Sequence, residues 1–321
     1  MVQQVIDFLI FQCVRFLVLF RHPRLTRRYL VGKSRSWLPN PALPDSTFEK
    51  WVWRKVFDHN PDFTQVSDKL AVKDWIKARQ IAVETPEVLW VGTDAGEIPD
   101  EALEGGVVLK ANHGCDMNIF LREPPYDRTA INLQANEFLD VEHGAKDMQW
   151  GYLGIRRKLF VEKLLDTATD EIKLYTFGRH IARAVLIYER FSGMSADVWI
   201  MDENNQLQRG KTRTLITDKM ANRPLPDLIE EALPIASDIG EHFDHMRVDF
   251  MTDGKSLWLG ELTVYNMTGH FAGMHPDEEE LLNKAWDIRR SWFLSTPQSG
   301  WRGVYARALR RRLDAAANPS T

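Results

Sequence analysis

The segment MRVDFMTDGKSLWLGEL, residues 246–262, constrains this chain more than any other stretch. Asp253-Gly254 is a hairpin signal between two apolar runs, so those runs pair antiparallel. Each carries a carboxylate, Asp249 and Glu261, at equal distances from Lys255. Side chains alternate faces with a period of two, so loop parity decides whether the two acids meet. A three-residue loop, Asp253 to Lys255, pairs residues whose numbers sum to 508; Arg247 then faces Glu261, with Asp249 one step inward on the same face. A two-residue loop sends the carboxylates to opposite faces. With the odd loop or a bulge, two hard oxygen ligands and a fixed cation converge, the outline of a Mg²⁺-phosphate site. Without either, the segment is an exposed hairpin with ordinary charges.

Other strand-like runs precede it, at 88–91, 107–110, 118–121, 159–162, 173–177, 181–188 and 196–201, and the hairpin's own strands cover 246–251 and 257–264. Between them lie helical patterns. Ser67 is positioned as an N-cap for DKLAVKDWIKARQ, and residues 226–242 form an apolar-faced helix in which Pro234 places a kink. Antiparallel strands mixed with helices give an α+β architecture rather than a doubly wound sheet. At roughly 100–200 residues per domain, 321 residues make one large or two ordinary domains. Residues 36–63, rich in Trp and Pro, read as a connecting region.

Composition narrows the class. With 41 Lys and Arg against 45 Asp and Glu, net −4, the chain carries no polyanion-binding excess, and no nucleic-acid partner is expected. Two cysteines, Cys13 and Cys115, cannot build a disulfide framework or a Cys-rich zinc site, so a reducing, cytoplasmic setting is expected.

The hydrophobicity is uneven. Residues 5–20, VIDFLIFQCVRFLVLF, are interrupted only by Asp7, Gln12 and Arg15, and Arg21, His22, Arg24, Arg27 and Arg28 follow. No Lys or Arg precedes Arg15 and no small-residue cleavage site follows, so a secretory signal is not expected. Three polar residues in sixteen make a poor bilayer span. Two readings stay open: a helix docked on the core or a partner, and an interfacial helix whose basic flank meets anionic lipid at the inner face of the cytoplasmic membrane. Trp301, Val304, Tyr305, Ala308 and Leu309 form an apolar stripe beside Arg302, Arg307, Arg310, Arg311 and Arg312.

Several motifs are absent. The tripeptides Gly32-Lys33-Ser34, Gly210-Lys211-Thr212 and Gly254-Lys255-Ser256 lack the upstream glycine of a P-loop, where Arg27, Asn205 and Asp249 stand. His242 and His245 share a helical face without further ligand types nearby, so they read as a surface pair. His270 stands in a Gly-flanked turn, facing either solvent or an anionic substrate.

Two more segments carry chemistry. In VVLKANHG, Lys110 ends an apolar strand and Asn112-His113-Gly114 turn into the next, so a lysine and backbone N–H groups could cradle phosphate. In KLFVEKLL, an apolar strand ends at Glu162-Lys163-Leu164-Leu165, where backbone groups at 163–164 could meet a purine edge or simply connect two domains.

Taken in order, SDK at 67–69, VVLKANHG at 107–114, FVEKLL at 160–165, DEIK at 170–173 and RVD…GEL at 247–262 resemble the ATP-grasp superfamily. The pattern is most similar to the TupA-like ATP-grasp proteins, associated with teichuronopeptide, polysaccharide and cell-envelope genes. The resemblance spans about residues 60–275. It implies two α+β subdomains gripping ATP, at about 67–162 and 163–275, with helical extensions at 1–66 and 276–321. It also implies an ADP-forming ligase, in which a carboxylate takes the γ-phosphoryl group of ATP and an amine captures the acyl phosphate. By this resemblance Lys69 and Lys110 hold ATP phosphates, and Asn112, His113 and Gly114 match a loop covering the triphosphate. Glu162, Lys163 and Leu164 match the adenine connector, Glu171 stands near the ribose-binding acid, and Lys173 shares its motif. Asp249 and Glu261 match the Mg²⁺ ligands, and Arg247 would stabilise charge on the transferring group. The sequence departs from most ATP-grasp enzymes at Thr263, where they have Asn; Thr263 or Asn266 would complete the metal site. The implied partners are ATP, a carboxylate donor and an amine acceptor, the latter two in polymer synthesis. A contrasting reading is an inactive ATP-binding module that recruits assembly machinery at the membrane.

Overall fold

The computed structural model describes residues 2–24, 40–212, 214, 216–269 and 275–317. Arg27, Arg28, the Gly32-Lys33-Ser34 tripeptide and His270 lie outside the described residues. In chain order the principal elements are helices α1 (Val2–Arg21), α2 (Thr47–Phe57), α3 (Asp62–Ser67) and α4 (Ala71–Ala78), strands β1 (Val88–Gly92), β2 (Val107–Ala111) and β3 (Asn118–Leu121), and helix α5 (Arg128–Asp140). Strands β4 (Leu159–Lys163), β5 (Asp170–Phe177), β6 (His180–Tyr188), β7 (Ser195–Met201) and β8 (Leu207–Arg209) follow. Helix α6 (Ile229–Gly240), strands β9 (Met246–Thr252) and β10 (Leu257–Thr263), and helices α7 (Pro276–Ala285) and α8 (Gly300–Ala317) complete the order.

Two compact units divide the chain, Pro61–Asn266 and a terminal unit of Met1–Asn60 with Met267–Thr321. The first holds a four-stranded sheet, β1-β4-β2-β3, and a six-stranded sheet, β10-β9-β5-β6-β7-β8. Every named strand pairing is antiparallel, as the apolar runs and hairpin signals require. One face of the large sheet is apolar. Ile172, Leu174, Val248, Phe250, Leu259 and Leu262 pack there with Phe63, Val66, Trp75 and Ile76 from α3 and α4 and with Ala232, Ala236 and Ile239 from α6. Each fully buried large side chain contributes about 1.5–3 kcal/mol. The small sheet has its own core, in which Leu109, Leu159 and Val161 meet Ile131 and Ala135 of α5.

Several details differ from the sequence reading. Residues 47–57, read as part of a connecting region, form helix α2 with Trp51, Trp53 and Phe57 buried, and His245, read as one of a surface pair, is buried beside the Phe177 ring. Ser67 does not open the helix: it ends α3, and Asp68 does the capping, its Oδ1 accepting from the backbone N–H of Leu70 at 2.9 Å and of Ala71 at 3.3 Å. A carboxylate one residue later suits the positive helix start as well as a hydroxyl does. Strand β8, with the sequence Leu-Gln-Arg, has no apolar run to announce it and pairs only with β7.

The last is the hairpin. Thr252 pairs with Leu257, which makes the loop four residues, 253–256, and not three. Asp253 spans it by accepting from the N–H groups of Lys255 and Ser256, both at 2.9 Å. That loop alone places Asp249 opposite Gly260 and turns Glu261 to the other face. A bulge between Leu259 and Glu261 takes up one residue, so Glu261 stands opposite Asp249 and Thr263 opposite Arg247. Arg247 therefore faces Thr263 rather than Glu261.

In the terminal unit, Ser46 caps α2 by accepting from Glu49 N–H, and Glu49 Oε2 accepts from Asp45 N–H at 3.1 Å, one residue before the cap. Trp53, Phe57, Phe293 and Tyr305 form an aromatic cluster, with Trp53 Nε1 donating to Tyr305 Oη at 2.8 Å. Helix α1 packs on α8.

Candidate active site

The polar face of the large sheet is built by period-two alternation on β5, β9 and β10. Lys173 pairs with Asp249, and Asp249 with Glu261, so three chemically active side chains share one rung across three strands. Tyr175, Arg247 and Thr263 form the next rung. Arg247 ties the two together: its Nε donates to Asp249 Oδ1 at 2.7 Å, and its Nη2 to Asp249 Oδ2 at 2.6 Å, Thr263 Oγ1 at 2.9 Å and Glu261 Oε1 at 3.2 Å. Its Nη1 donates to Asn266 Oδ1 at 2.5 Å. Lys173 Nζ lies 2.7 Å from Asp249 Oδ2 and 2.8 Å from Glu171 Oε2, and Arg190 pairs with the other Glu171 oxygen.

Burial sorts these groups. The Asp249 side chain is 5 % exposed, while Glu261 is 45 % exposed and opens to solvent. Burial works against the Asp249 carboxylate, but the charges and hydrogen bonds of Arg247 and Lys173 outweigh it and hold the carboxyl well below its usual range. Burial likewise opposes charge on Arg247, and Asp249, Tyr175 and Glu261 keep its guanidinium firmly protonated.

A cleft of about 180 Å³ gathers this rung with groups from the small sheet and from the α3–α4 segment. Lys69, Lys73, Lys110, Lys173 and Arg190 line it as cations, and Glu162, Glu171, Asp249 and Glu261 as anions. Lys110 and Glu162 form an ion pair, as their diagonal placement on the paired strands β2 and β4 allows, and Lys73 Nζ lies 3.5 Å from the second Glu162 oxygen. Lys69 Nζ donates to the Gly114 carbonyl, and burial pushes its ammonium down despite the nearby Glu261. Phe160, Met251 and Leu259 supply apolar wall.

Of the residues selected from sequence, the cleft lining thus includes Lys69, Lys110, Glu162, Glu171, Lys173, Asp249 and Glu261. Arg247, Thr263 and Asn266 stand beside it, bonded to one another and to its acidic wall. The others are placed differently. Asn112 is fully buried, its Nδ2 donating to the Arg156 carbonyl at 3.1 Å and its Oδ1 accepting from Lys158 N–H at 2.8 Å. His113 is buried with Nε2 3.1 Å from the Val141 carbonyl, and burial pushes its pKa down. Their side chains brace the turn, which in turn anchors Lys69 at both ends, since Lys69 N–H donates to the Asn112 carbonyl at 3.0 Å. Gly114, at φ +86°, has the His143 ring where a Cβ would stand. At 163–164 both backbone N–H groups bond within the fold, Lys163 N–H to the Glu87 carbonyl at 2.9 Å and Leu164 N–H to the Gly106 carbonyl at 2.8 Å.

Sequence reasoning missed Lys73, Arg190 and Tyr152. Lys73 follows Lys69 by four residues, a spacing that marks a shared helical face. Arg190 and Tyr152 carry no local signal. The Tyr152 phenol is raised by burial and by the Glu261 charge.

The donor set fits Mg²⁺. Two adjacent carboxylates, a hydroxyl and an amide oxygen are all hard ligands, and Asp249 is held ionised. Among the described residues no group of three or more His, Cys, Asp or Glu forms a protein-only cage. Mg²⁺ is usually held by one or two carboxylates together with substrate phosphates, and Asp249 with Glu261 answers to that pattern.

The profile of the family described as TupA-like ATPgrasp matches residues 49–283, well over half the chain. The chain belongs to the TupA-like ATP-grasp family. Its fold is the ATP-grasp fold, an α+β arrangement of two antiparallel sheets with helical N- and C-terminal parts. Solved ATP-grasp structures resemble it distantly. D-alanine–D-alanine ligase from Bacillus anthracis is 15% identical over 80% of this chain and 70% of its own, with a TM-score of 0.38. The corresponding ligase from Helicobacter pylori is 12% identical over 75% and 69%, with a TM-score of 0.40. N5-carboxyaminoimidazole synthase from Aspergillus clavatus, in complex with ADP and its ribonucleotide, is 13% identical over 84% of this chain and 57% of its own, with a TM-score of 0.40. No curated protein matches this TupA-like chain.

Proposed function

We propose that this chain is an ATP-dependent, ADP-forming carboxylate–amine ligase that works through an acyl phosphate in the synthesis of a cell-envelope polysaccharide or peptide-like polymer. Residues of about 67–275 form its ligase domain, between helical extensions. One observation carries the reading: the Lys173–Asp249–Glu261 rung, clamped by Arg247, borders the same cleft as Lys69 and Lys110. Placement in envelope polymer synthesis rests on the gene associations of TupA-like proteins.

The chemistry follows from charge. A donor carboxylate oxygen attacks the γ-phosphorus, the bond to the β–γ bridging oxygen breaks, and ADP leaves with its electron pair. The amine nitrogen then attacks the acyl carbon, inorganic phosphate leaves, an amide bond forms, and the amine's proton passes to solvent. Phosphoryl transfer of this kind asks for positioning and charge neutralisation rather than a protein nucleophile. Without ligand, five cations of the cleft are balanced mainly by its own four carboxylates. Lys69 and Lys110 turn to the phosphates of ATP, Lys73 and Lys173 move with them, and Arg247 bears on the transferring group. Asp249 and Glu261, with Thr263 or Asn266, would hold Mg²⁺. Bound there, the metal neutralises phosphate oxygens as a Lewis acid. In this reading Glu171 accepts from ribose hydroxyls, and Phe160, Met251 and Leu259 offer the apolar surface for a purine.

The test is product analysis with ATP, Mg²⁺ and panels of carboxylates and amines. ADP and phosphate are expected, and Asp249→Asn with Glu261→Gln abolishes their formation. AMP and pyrophosphate as products would overturn the mechanism.

A further inference from the structure

We infer that the outward face of α1 is a membrane-docking surface that lies flat in the headgroup region of an anionic bilayer. The inference stands on the terminal unit and is independent of the ligase reading.

Helix α1 is apolar on two opposite sides. Phe11, Val14 and Val18 are buried along its docked side. Phe11 meets Tyr305 of α8 edge-on at 6.5 Å, and Arg311 of α8 donates to Asp7 at 2.6 and 3.1 Å. At about 100° per residue, Val2, Val5, Leu9, Cys13, Phe16 and Phe20 fall on the opposite side. That side is open: Phe16 is 67 % and Phe20 89 % exposed, and Val2, Val5 and Leu9 are each more than half exposed. Asp7, Arg15 and Arg21 all lie toward the docked side or its flanks, so the outward sector holds no charge. A helix resting on a soluble core has the reverse pattern, with its charges facing water. An uncovered apolar strip of this length marks an interaction surface.

Charge identifies the partner. The terminal unit has 18 Lys and Arg against 10 Asp and Glu in sequence, 18 − 10 = +8, whereas the other unit has 23 against 35, 23 − 35 = −12. Covering the face with a second copy of α1 brings two +8 units together, while anionic headgroups neutralise the excess. Arg21 ends the helix and Arg24 follows it, and Arg307, Arg310 and Arg312 lie on the helix it rests on.

The docked contacts also set the orientation. Twenty residues give about 30 Å of helix, enough to cross a hydrocarbon core. Crossing would carry Asp7 and Arg15 into hydrocarbon and break the Asp7–Arg311 and Phe11–Tyr305 contacts. Lying flat keeps all of them and inserts only the apolar sector.

The two cysteines provide the probe, because Cys13 lies on the outward sector, Cys115 lies in the other unit, and both are exposed. The full chain is mixed with vesicles of phosphatidylglycerol and phosphatidylcholine, or of phosphatidylcholine alone, and sedimentation and maleimide labelling are followed. The expected result is co-sedimentation with the anionic vesicles that high salt weakens, with slower labelling of Cys13 and unchanged labelling of Cys115. The exposed-face variant Leu9→Ser/Phe16→Ser/Phe20→Ser lowers vesicle partitioning on the order of 100-fold or more without changing the melting curve. Failure to sediment with anionic vesicles, or an unchanged Cys13 rate, overturns the inference. A dimer that the triple variant dissolves overturns it in favour of a second copy. Resistance to alkaline carbonate overturns the flat orientation in favour of a spanning helix.

Discussion

The acid rung of β9 and β10 and the Asn112-His113-Gly114 turn both present polar residues beside a glycine, yet the fold uses them in opposite ways. On the rung, Lys173, Asp249 and Glu261 share the polar face of the sheet and line the cleft. In the turn, Asn112 and His113 point inward and spend their hydrogen bonds on the backbone at 141, 156 and 158. The rung is where charge can be exchanged with a ligand; the turn holds Lys69 in place for that exchange. Lining the cleft, rather than burial, separates the groups open to a ligand from those that brace, and neither is visible in the residue letters.

Replacing Asp249 by Asn is the severest test, because it leaves Arg247 and Lys173 buried without their main counter-charge. We expect loss of ATP turnover and, in denaturant titrations, destabilisation of about 3–5 kcal/mol. Asn112→Ala strips two backbone bonds from a buried turn and is expected to cost about 2–3 kcal/mol, with turnover lowered by loss of Lys69 placement but not abolished. Equal turnover in this variant and the native chain would break the proposed bracing role. Glu261→Gln sharpens the contrast inside the rung: at 45 % exposure its side chain leaves stability within about 1 kcal/mol, while turnover falls as far as for Asp249→Asn.

The two regions should also part company with pH. Burial lowers the His113 pKa in the folded state, so its contribution is fully present above the unfolded value of about 6.5 and is lost as pH falls from there toward the folded value. The Asp249 carboxyl is also depressed, but from an unfolded value of about 3.9, so its contribution survives until pH falls below that point. Hydrogen exchange between about pH 6.5 and 4.5 is expected to rise first at residues 111–115 while β9 and β10 stay protected; simultaneous loss of protection would remove the distinction. The mildest change is Gly260→Ala. Its Cβ would sit 3.3 Å from the Asp249 carbonyl at a backbone conformation open to any residue, so a loss within about 1 kcal/mol is expected, read from the melting curve.

Much of this architecture is legible in residue order. Apolar runs give the nine strands of the main pattern because they bury one face of each sheet, and the five ordered motifs place the acids, the arginine and the lysines together. The bulge before Glu261 is less legible, since Gly260 marks a break in a strand only after the loop length is known. Ser67 and Asp68 are both good capping residues, and tertiary packing of α3 chose between them. Arg190 reaches the cleft through long-range folding that no local pattern encodes. For α1, the sequence shows an apolar helix; only the docked stripe of Phe11, Val14 and Val18 reveals which side is left outside.

The ligase reading requires Asp249 and Glu261, clamped by Arg247, to hold the metal and phosphates of ATP. Calorimetric titration of ATP with and without Mg²⁺, into the native chain and into Glu261→Gln, tests it without knowledge of the acceptor. The expected result is tight binding that depends on Mg²⁺ in the native chain and loss of that dependence in the variant. Equal Mg²⁺-dependent affinity in both would contradict it.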